Sequence, residues 1–228
     1  MKSFYIGTTP LKWIVVTMFY LSALSLQSQV NIKIGYHVAI PSFTENDRIL
    51  SMFEPSGSRV EQPFGSLKFM HGIQLGLRYK WENVGVELGW ENASRDRTAL
   101  IYNPSTDTFT DRQYNYGFGG YYFGMDSYFN QFGLGSMILL QNLNVDRVVG
   151  NNELNLISDT ELALRLQFIW QVQESSLVSL MIKPYYQFSL GSYSLAPLAN
   201  DLGVGGANSF QESPNIFGVS LVFYNGRQ

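Results

Sequence analysis

The sequence predicts an all-β protein, an eight-stranded antiparallel up-and-down transmembrane β-barrel, and three observations carry that prediction. Apolar residues recur at every second position in eight separate stretches, a period that only a strand can sort onto two faces. The connections between these stretches alternate long and short. Charged residues are only 14 % of the chain against 15 % aromatics, whereas a soluble domain carries about 25 % charge.

The clearest stretch is 66–91. Leu67, Phe69, Ile73, Leu75, Leu77, Tyr79 and Trp81 alternate with Lys68, Met70, Gly72, Gln74, Gly76, Arg78 and Lys80. After a break at Glu82-Asn83 the pattern resumes, with Val84, Val86, Leu88 and Trp90 against Gly85, Glu87, Gly89 and Glu91. This is a long hairpin with one apolar face and one face of glycine and mixed charge. Ahead of it, 30–40 sets Ile32, Ile34, Tyr36, Val38 and Ile40 opposite Lys33, Gly35 and His37.

Beyond it, 114–122 alternates Tyr114, Tyr116, Phe118 and Tyr122 with Asn115, Gly117, Gly119 and Tyr121, and a tight turn is expected near Asp126-Ser127. A fifth strand carries Phe132, Leu134, Ile138 and Leu140 against Gly133 and Gly135. A sixth carries Leu162 to Val172, including Trp170, against Glu161, Arg165 and Gln167. The seventh sets Val178, Leu180, Ile182, Tyr186 and Phe188 opposite Lys183, Tyr185 and Gln187. The last sets Phe217, Val219, Leu221 and Phe223 opposite Gly218, Ser220 and Tyr224. Long loops are expected at about 41–65, 92–112, 141–158 and 191–213, and short turns at the other end.

Lys2 and Lys12, a mostly apolar run over 13–26 and a small polar end at 27–29 give residues 1–28 the layout of a cleavable signal peptide. Residues 29–228 are then the barrel domain. Cleavage removes two of the 15 basic residues and none of the 18 acids, so the net charge moves from −3 to −5. That balance argues against a nucleic-acid partner, which needs a basic face. With no cysteine, disulfides and thiolate metal sites are excluded. No phosphate loop, nucleotide motif or metal cluster is visible, and no cofactor is expected.

A soluble barrel would also alternate, so the direction of the apolar face needs separate evidence. The polar face is too poor in charge for a solvated exterior, and eight bulky faces turned inward would overfill a narrow barrel. With the short turns at one end, Tyr79, Trp81, Tyr122, Phe132, Trp170 and Phe223 fall at one level, the pattern of an aromatic girdle at a bilayer boundary.

On these features the chain resembles the small eight-stranded outer-membrane barrels typified by the OmpA transmembrane domain and OmpX. Its Gln29 start and Tyr/Gly-rich strands look like the Bacteroidota versions. The resemblance covers residues 30–224 and implies an integral outer-membrane location, with short periplasmic turns and long extracellular loops. One departure is the end of the chain, where Phe223-Tyr224 is followed by Asn225-Gly226-Arg227-Gln228 rather than closing on an aromatic.

The inward set expected from this register is Lys33, His37, Arg78, Lys80, Glu87, Glu161, Arg165 and Lys183, together with Lys68 and Glu91. Both signs in so narrow a space point to an ion-pair network that fills the lumen. Gly117, Gly119, Gly133 and Gly135 are expected inward beside it. The expected role is structural or interactive: contact with outer-membrane lipid, and binding of an extracellular ligand or an envelope protein partner. The four loops hold eleven acids against six arginines and are the natural place for such binding. A small pore is the alternative. A lipid-modifying enzyme is a weaker one, resting on His71, the polar residue on an apolar face, with a loop serine such as Ser66.

Overall fold

Alternating strands leave unpaired backbone groups on each edge, and within lipid those groups must be satisfied by the protein itself. The structure, a computed structural model describing residues 30–150, 152–174, 178–206 and 210–225, satisfies them by closing the sheet. The expected signal peptide lies outside the described residues.

In chain order the elements are β1 (Val30–Pro41), α1 (Thr44–Ser51), β2 (Arg59–Gln62), β3 (Met70–Trp81), β4 (Val84–Asn103), β5 (Thr108–Phe129), β6 (Phe132–Val149), β7 (Asn152–Glu174), β8 (Val178–Ser189), β9 (Tyr193–Ser194), α2 (Ala196–Asp201), β10 (Gln211–Glu212) and β11 (Ile216–Asn225). Eight of them form an antiparallel ring in the order β4-β3-β1-β11-β8-β7-β6-β5, closed by the β4–β5 pairing. First and last barrel strands meet, from Lys33↔Tyr224 to Pro41↔Ile216.

Each barrel strand turns one apolar row outward. Ile32, Ile34 and Tyr36 of β1, Ile73, Leu75, Leu77, Tyr79 and Trp81 of β3, Phe123 and Met125 of β5, and Leu162, Leu166, Phe168, Trp170 and Val172 of β7 are exposed on the ring's exterior. Above this belt the outward row turns polar: Asn92 follows Trp90, Asn142 follows Leu140, and Thr160 precedes Leu162. An apolar band with polar residues beyond it is what a hydrocarbon layer demands of a barrel's outer face. Pro184 interrupts one seam. Without an N–H it cannot complete the β7–β8 ladder, which reaches Gln167↔Tyr185 and resumes only at Trp170↔Ile182.

Four expectations are corrected. Residues 92–112 and 141–158 are mostly strand, because β4–β5 and β6–β7 continue as paired hairpins well past the apolar belt. The β5–β6 turn falls at Asn130-Gln131, where Asn130 takes φ 57°, and not at Asp126-Ser127. The faces of β5 are reversed: Tyr114, Tyr116, Phe118 and Tyr122 are buried inside, while Tyr121, Phe123, Met125 and Phe129 point out. Tyr122 can enter the lumen because Gly76 and Gly89 stand opposite it, where added Cβ atoms would come within 2.8 and 2.3 Å of its hydroxyl. Gly117 and Gly119 therefore face outward with Tyr121. Finally, β3 begins at Met70, so Leu67 is buried, and Lys68 is exposed and no part of the lumen.

The two remaining long connections fold over the open end. In α1 the buried residues Asn46, Ile49 and Leu50 follow the i, i+3, i+4 spacing of one helical face. With Phe43 and Phe53 they pack on Leu198 and Ala199 of α2, on Leu202 and Phe210, and on Tyr116, Phe118, Leu143, Val145 and Ile157 of the hairpin walls. Burying each such side chain stabilises the cap by about 1.5–3 kcal/mol.

Gly218 shows how tightly the ring is filled. A Cβ there would lie 2.3 Å from the Tyr185 ring. Gly218→Val is expected to lower unfolding stability in lipid vesicles by about 1–3 kcal/mol, the usual cost of overpacking, measured as a lower urea midpoint.

Candidate functional site: a filled lumen under a docked cap

Alternation places one residue in two of each strand inside the ring, and the inward residues of seven strands meet in the lower lumen. Lys33 Nζ of β1 lies 2.8 Å from Glu87 Oε2 of β4, and Lys183 Nζ of β8 lies 2.8 Å from Glu87 Oε1. Lys183 also contacts Asp126 Oδ2 of β5 at 2.7 Å. It donates to the Tyr224 hydroxyl at 2.7 Å, which in turn donates to Glu87. Gln167 donates to the other Asp126 oxygen at 2.7 Å. Arg78 donates to Tyr128 and Asn31 and lies 3.8 Å over the Tyr224 ring. Lys33, Arg78 and Lys183 thus surround two carboxylates, with every one of these side chains essentially dry.

A second cluster sits higher. Glu91 takes both terminal nitrogens of Arg165, one at 2.7 Å, and a hydrogen bond from Gln74 at 2.9 Å. Arg165 also donates to Gln187, whose amide nitrogen reaches Gln141 at 2.5 Å. His37 contacts the Tyr185 hydroxyl at 3.2 Å and the Asn92 carbonyl at 3.3 Å. The two clusters together place buried ion pairs at two successive heights of the lumen.

Two expected members sit at the margins of these clusters. Lys80 is only partly buried and lies 5.1 Å over the Tyr128 ring at the short-turn end. Glu161 faces inward, half-buried, but pairs with no cation among the described residues. Of the six aromatics expected at one outward level, Tyr79, Trp81, Phe132, Trp170 and Phe223 are exposed outside, and Tyr122 is the exception already described. His71 is exposed beside Tyr36, ring centroids 6.2 Å apart, and hydrogen-bonds to no described residue, Ser66 included.

Asp126 is the member that sequence reasoning missed, because it was expected in a turn. The odd-numbered apolar run Tyr121, Phe123 and Met125 was the available signal, since it puts Asp126 on the opposite, inner face. Its space is provided by Gly135, where a Cβ would come within 2.0 Å of Asp126 Oδ1.

Above the lumen the cap is held by Asp201 at the end of α2. Its carboxylate accepts from the Tyr114 hydroxyl at 2.6 Å, Arg112 at 2.6 Å and Arg147 at 2.7 Å. Burial alone would raise this carboxyl's pKa, but those three donors outweigh it and hold it below the ordinary carboxylate range. Burial, and then the bond to Asp201, push the Tyr114 phenol up. On the other side Arg97 donates to Asp47 at 2.7 Å and to the Gly65 carbonyl at 2.6 Å. Glu212 of β10 accepts the Asn46 N–H at 3.0 Å, joining the last loop to the first turn of α1. Among the described residues no group of acidic or histidine side chains could hold a metal.

No family model and no curated protein matches the sequence. Solved structures do. Ail, the attachment invasion locus protein of Yersinia pestis, solved with the heparin analogue sucrose octasulfate, is similar at a TM-score of 0.48 and 13 % identity, over 87 % of this chain and 98 % of that one. The chain itself is a closed antiparallel β-barrel with an apolar exterior belt, the architecture of a barrel embedded in a membrane. Neisserial surface protein A is similar to the barrel at 0.46 and 10 %, over 86 % and 96 %. The outer-membrane protease OmpT of Escherichia coli gives 0.33 and 10 %, over 87 % and 95 %. Likeness at this level concerns the fold; the placement of this barrel in lipid rests on its closed ring and apolar belt.

Two substitutions probe the site. Glu87→Gln leaves Lys33 without a counter-charge in a dry lumen and is expected to cost about 3–5 kcal/mol, read by urea unfolding in vesicles, with Lys33→Met restoring part of the loss. The Asp201 carboxyl has its pKa lowered by folding, so its contribution is full above the unfolded value of about 4 and is lost as pH falls below it. Protease cleavage within 191–206 should therefore accelerate in acid for the parent protein, and Asp201→Asn should cleave rapidly already at neutral pH.

Proposed function

We propose that this barrel is a closed, non-enzymatic platform whose raised cap presents an acidic surface to a basic partner, either an extracellular ligand or another envelope protein. The observation that carries the reading is double closure. The lumen is filled by the Glu87 and Glu91 clusters, and the apolar core of the cap lies over them. A conducting path would have to break buried ion pairs and also open that core, so the pore reading has no support in the geometry.

The enzyme reading is weak for a similar reason. His71 stands alone on the exterior, and the remaining histidine, His37, is enclosed among Tyr185, Glu91 and Arg165. The binding reading draws on charge. Arg97, Arg112 and Arg147 are occupied by Asp47 and Asp201 inside the cap. Asp96, Asp107, Asp111 and Glu153 are exposed on the two raised hairpins and form no ion pair with a described residue. Acidic side chains left facing solvent attract a cationic partner, more strongly at low salt.

The test joins two measurements on protein refolded into lipid. Planar bilayers should record no discrete conductance, and a polylysine probe should bind in a salt-sensitive way that Asp96→Asn, Asp111→Asn and Glu153→Gln together weaken several-fold. Stepwise currents would sink the closed-platform reading. Equal binding by the triple variant would sink the acidic surface.

A further inference from the structure

The reversed faces of β5 create a feature outside the lumen. Cross-strand partners on the exterior form three parallel rows over β4, β5, β6 and β7. The lowest is Trp90–Tyr121–Leu140–Leu162, the next Asn92–Gly119–Asn142–Thr160, and the upper Ser94–Gly117–Asn144–Ser158. At the centre of the upper two rows β5 offers only glycine, so the wall is dished between Asn92 and Ser94 on one side and Asn142 and Asn144 on the other. The hollow is a groove of about 460 Å³, within the ~300–1,000 Å³ of ordinary small-molecule sites.

We propose that this groove binds the uncharged sugar headgroup of an outer-leaflet glycolipid. Its polar lining is the carboxamides of Asn92, Asn142 and Asn144 with the Thr160 hydroxyl, and none of these side chains hydrogen-bonds to a described residue. The Asn142 Oδ1 is buried and unpartnered, a cost that is removed when the carboxamide turns to meet a ligand hydroxyl in the groove. A carboxamide offers two donors and an acceptor, which suits adjacent sugar hydroxyls. Trp90 and Tyr121 supply ring faces against which the C–H side of a pyranose packs. No Lys, Arg, Asp or Glu lines the groove, so a phosphate or carboxylate would find no counter-charge there.

Position identifies the source of the sugar. The sill, Trp90 and Tyr121, is the top row of the apolar belt, and aromatic residues of this kind mark the bilayer boundary. The groove opens sideways, one row higher, at the depth of the headgroups. A lipid standing beside the barrel would lay its chains on the belt and its sugar in the hollow. This site is separate from the acidic cap and does not depend on the role given to it.

The test places the full-length protein in phosphatidylcholine nanodiscs with increasing monoglucosyl diacylglycerol and follows the side-chain amide resonances of Asn92, Asn142 and Asn144 by NMR. Saturable shifts of these three are expected. Gly117 stands one row above the lining, between Ser94 and Asn144, and Gly117→Leu should cover the groove from there without disturbing the wall, because a Cβ at 117 meets only Asn144 Cβ, at 3.6 Å. It should weaken the interaction about tenfold, the equivalent of ~1.4 kcal/mol. Should that variant not refold, as judged by unheated gel mobility, Asn142→Leu serves with the same expected loss. Methyl glucoside free in solution should act only at far higher concentration. Absent shifts, or shifts that survive covering of the groove, would overturn the site. Equal potency of methyl glucoside would overturn the lipid as its source.

Discussion

Bringing charge into a space that lipid surrounds and water hardly enters is the constraint on which the rest of this molecule depends. An eight-stranded ring is too narrow for a water channel and too wide to leave empty. Long polar side chains fill it, and once Lys33, Arg78, Lys183 and Arg165 are inside, each needs a partner held in place, because an isolated buried charge is far costlier than a paired one. Glu87, Asp126 and Glu91 meet that need, and the surrounding tyrosines and glutamines satisfy the remaining donors and acceptors. The strand register is tied to this chemistry: a slip of one residue would send Glu87 and Lys183 into lipid.

The cap follows from the same closure. A filled lumen leaves its upper end as a polar floor rimmed by tall walls, and the inner faces of those walls above the membrane carry Tyr114, Tyr116, Phe118, Leu143 and Val145. Such a cup is an unburied apolar surface unless something covers it. The loops carrying α1 and α2 do so, and together with the walls they make a core like that of a soluble domain. Lipid-facing, ion-paired and water-facing chemistries are thus stacked along a single set of strands.

Much of this was legible in the sequence, for a simple reason: a lipid-facing row must be continuously apolar, so period-two patterning identifies the strands and their membrane faces. Lys33, Glu87, Arg165 and Lys183 could be placed inside from that pattern alone. The reading failed where both faces are bulky. In β5 the inner row holds Tyr114, Tyr116 and Phe118 where it leaves the ion-pair zone for an apolar cap, and Tyr122 beside Lys33 within that zone, while glycines occupy the outer row. Hydrophobicity no longer separates the faces there. Above the belt, strands wetted on the outside looked like loops, since Ser94, Asp96 and Thr98 resemble a polar connection until their partners Gly117, Asn115 and Gln113 are known.

The two raised hairpins also set an altitude. From Asn92 to Asn103 the β4–β5 ladder continues without a break beyond the apolar belt, and at ~3.4 Å per residue that is roughly 35 Å of strand. A flexible loop of the same length would collapse towards the lipid. A hydrogen-bonded ribbon, four strands wide up to Thr98 and Gln113 and flanked by β2 above, stands up as a mast, so whatever meets the Asn103–Thr108 tip does so well above the apolar belt.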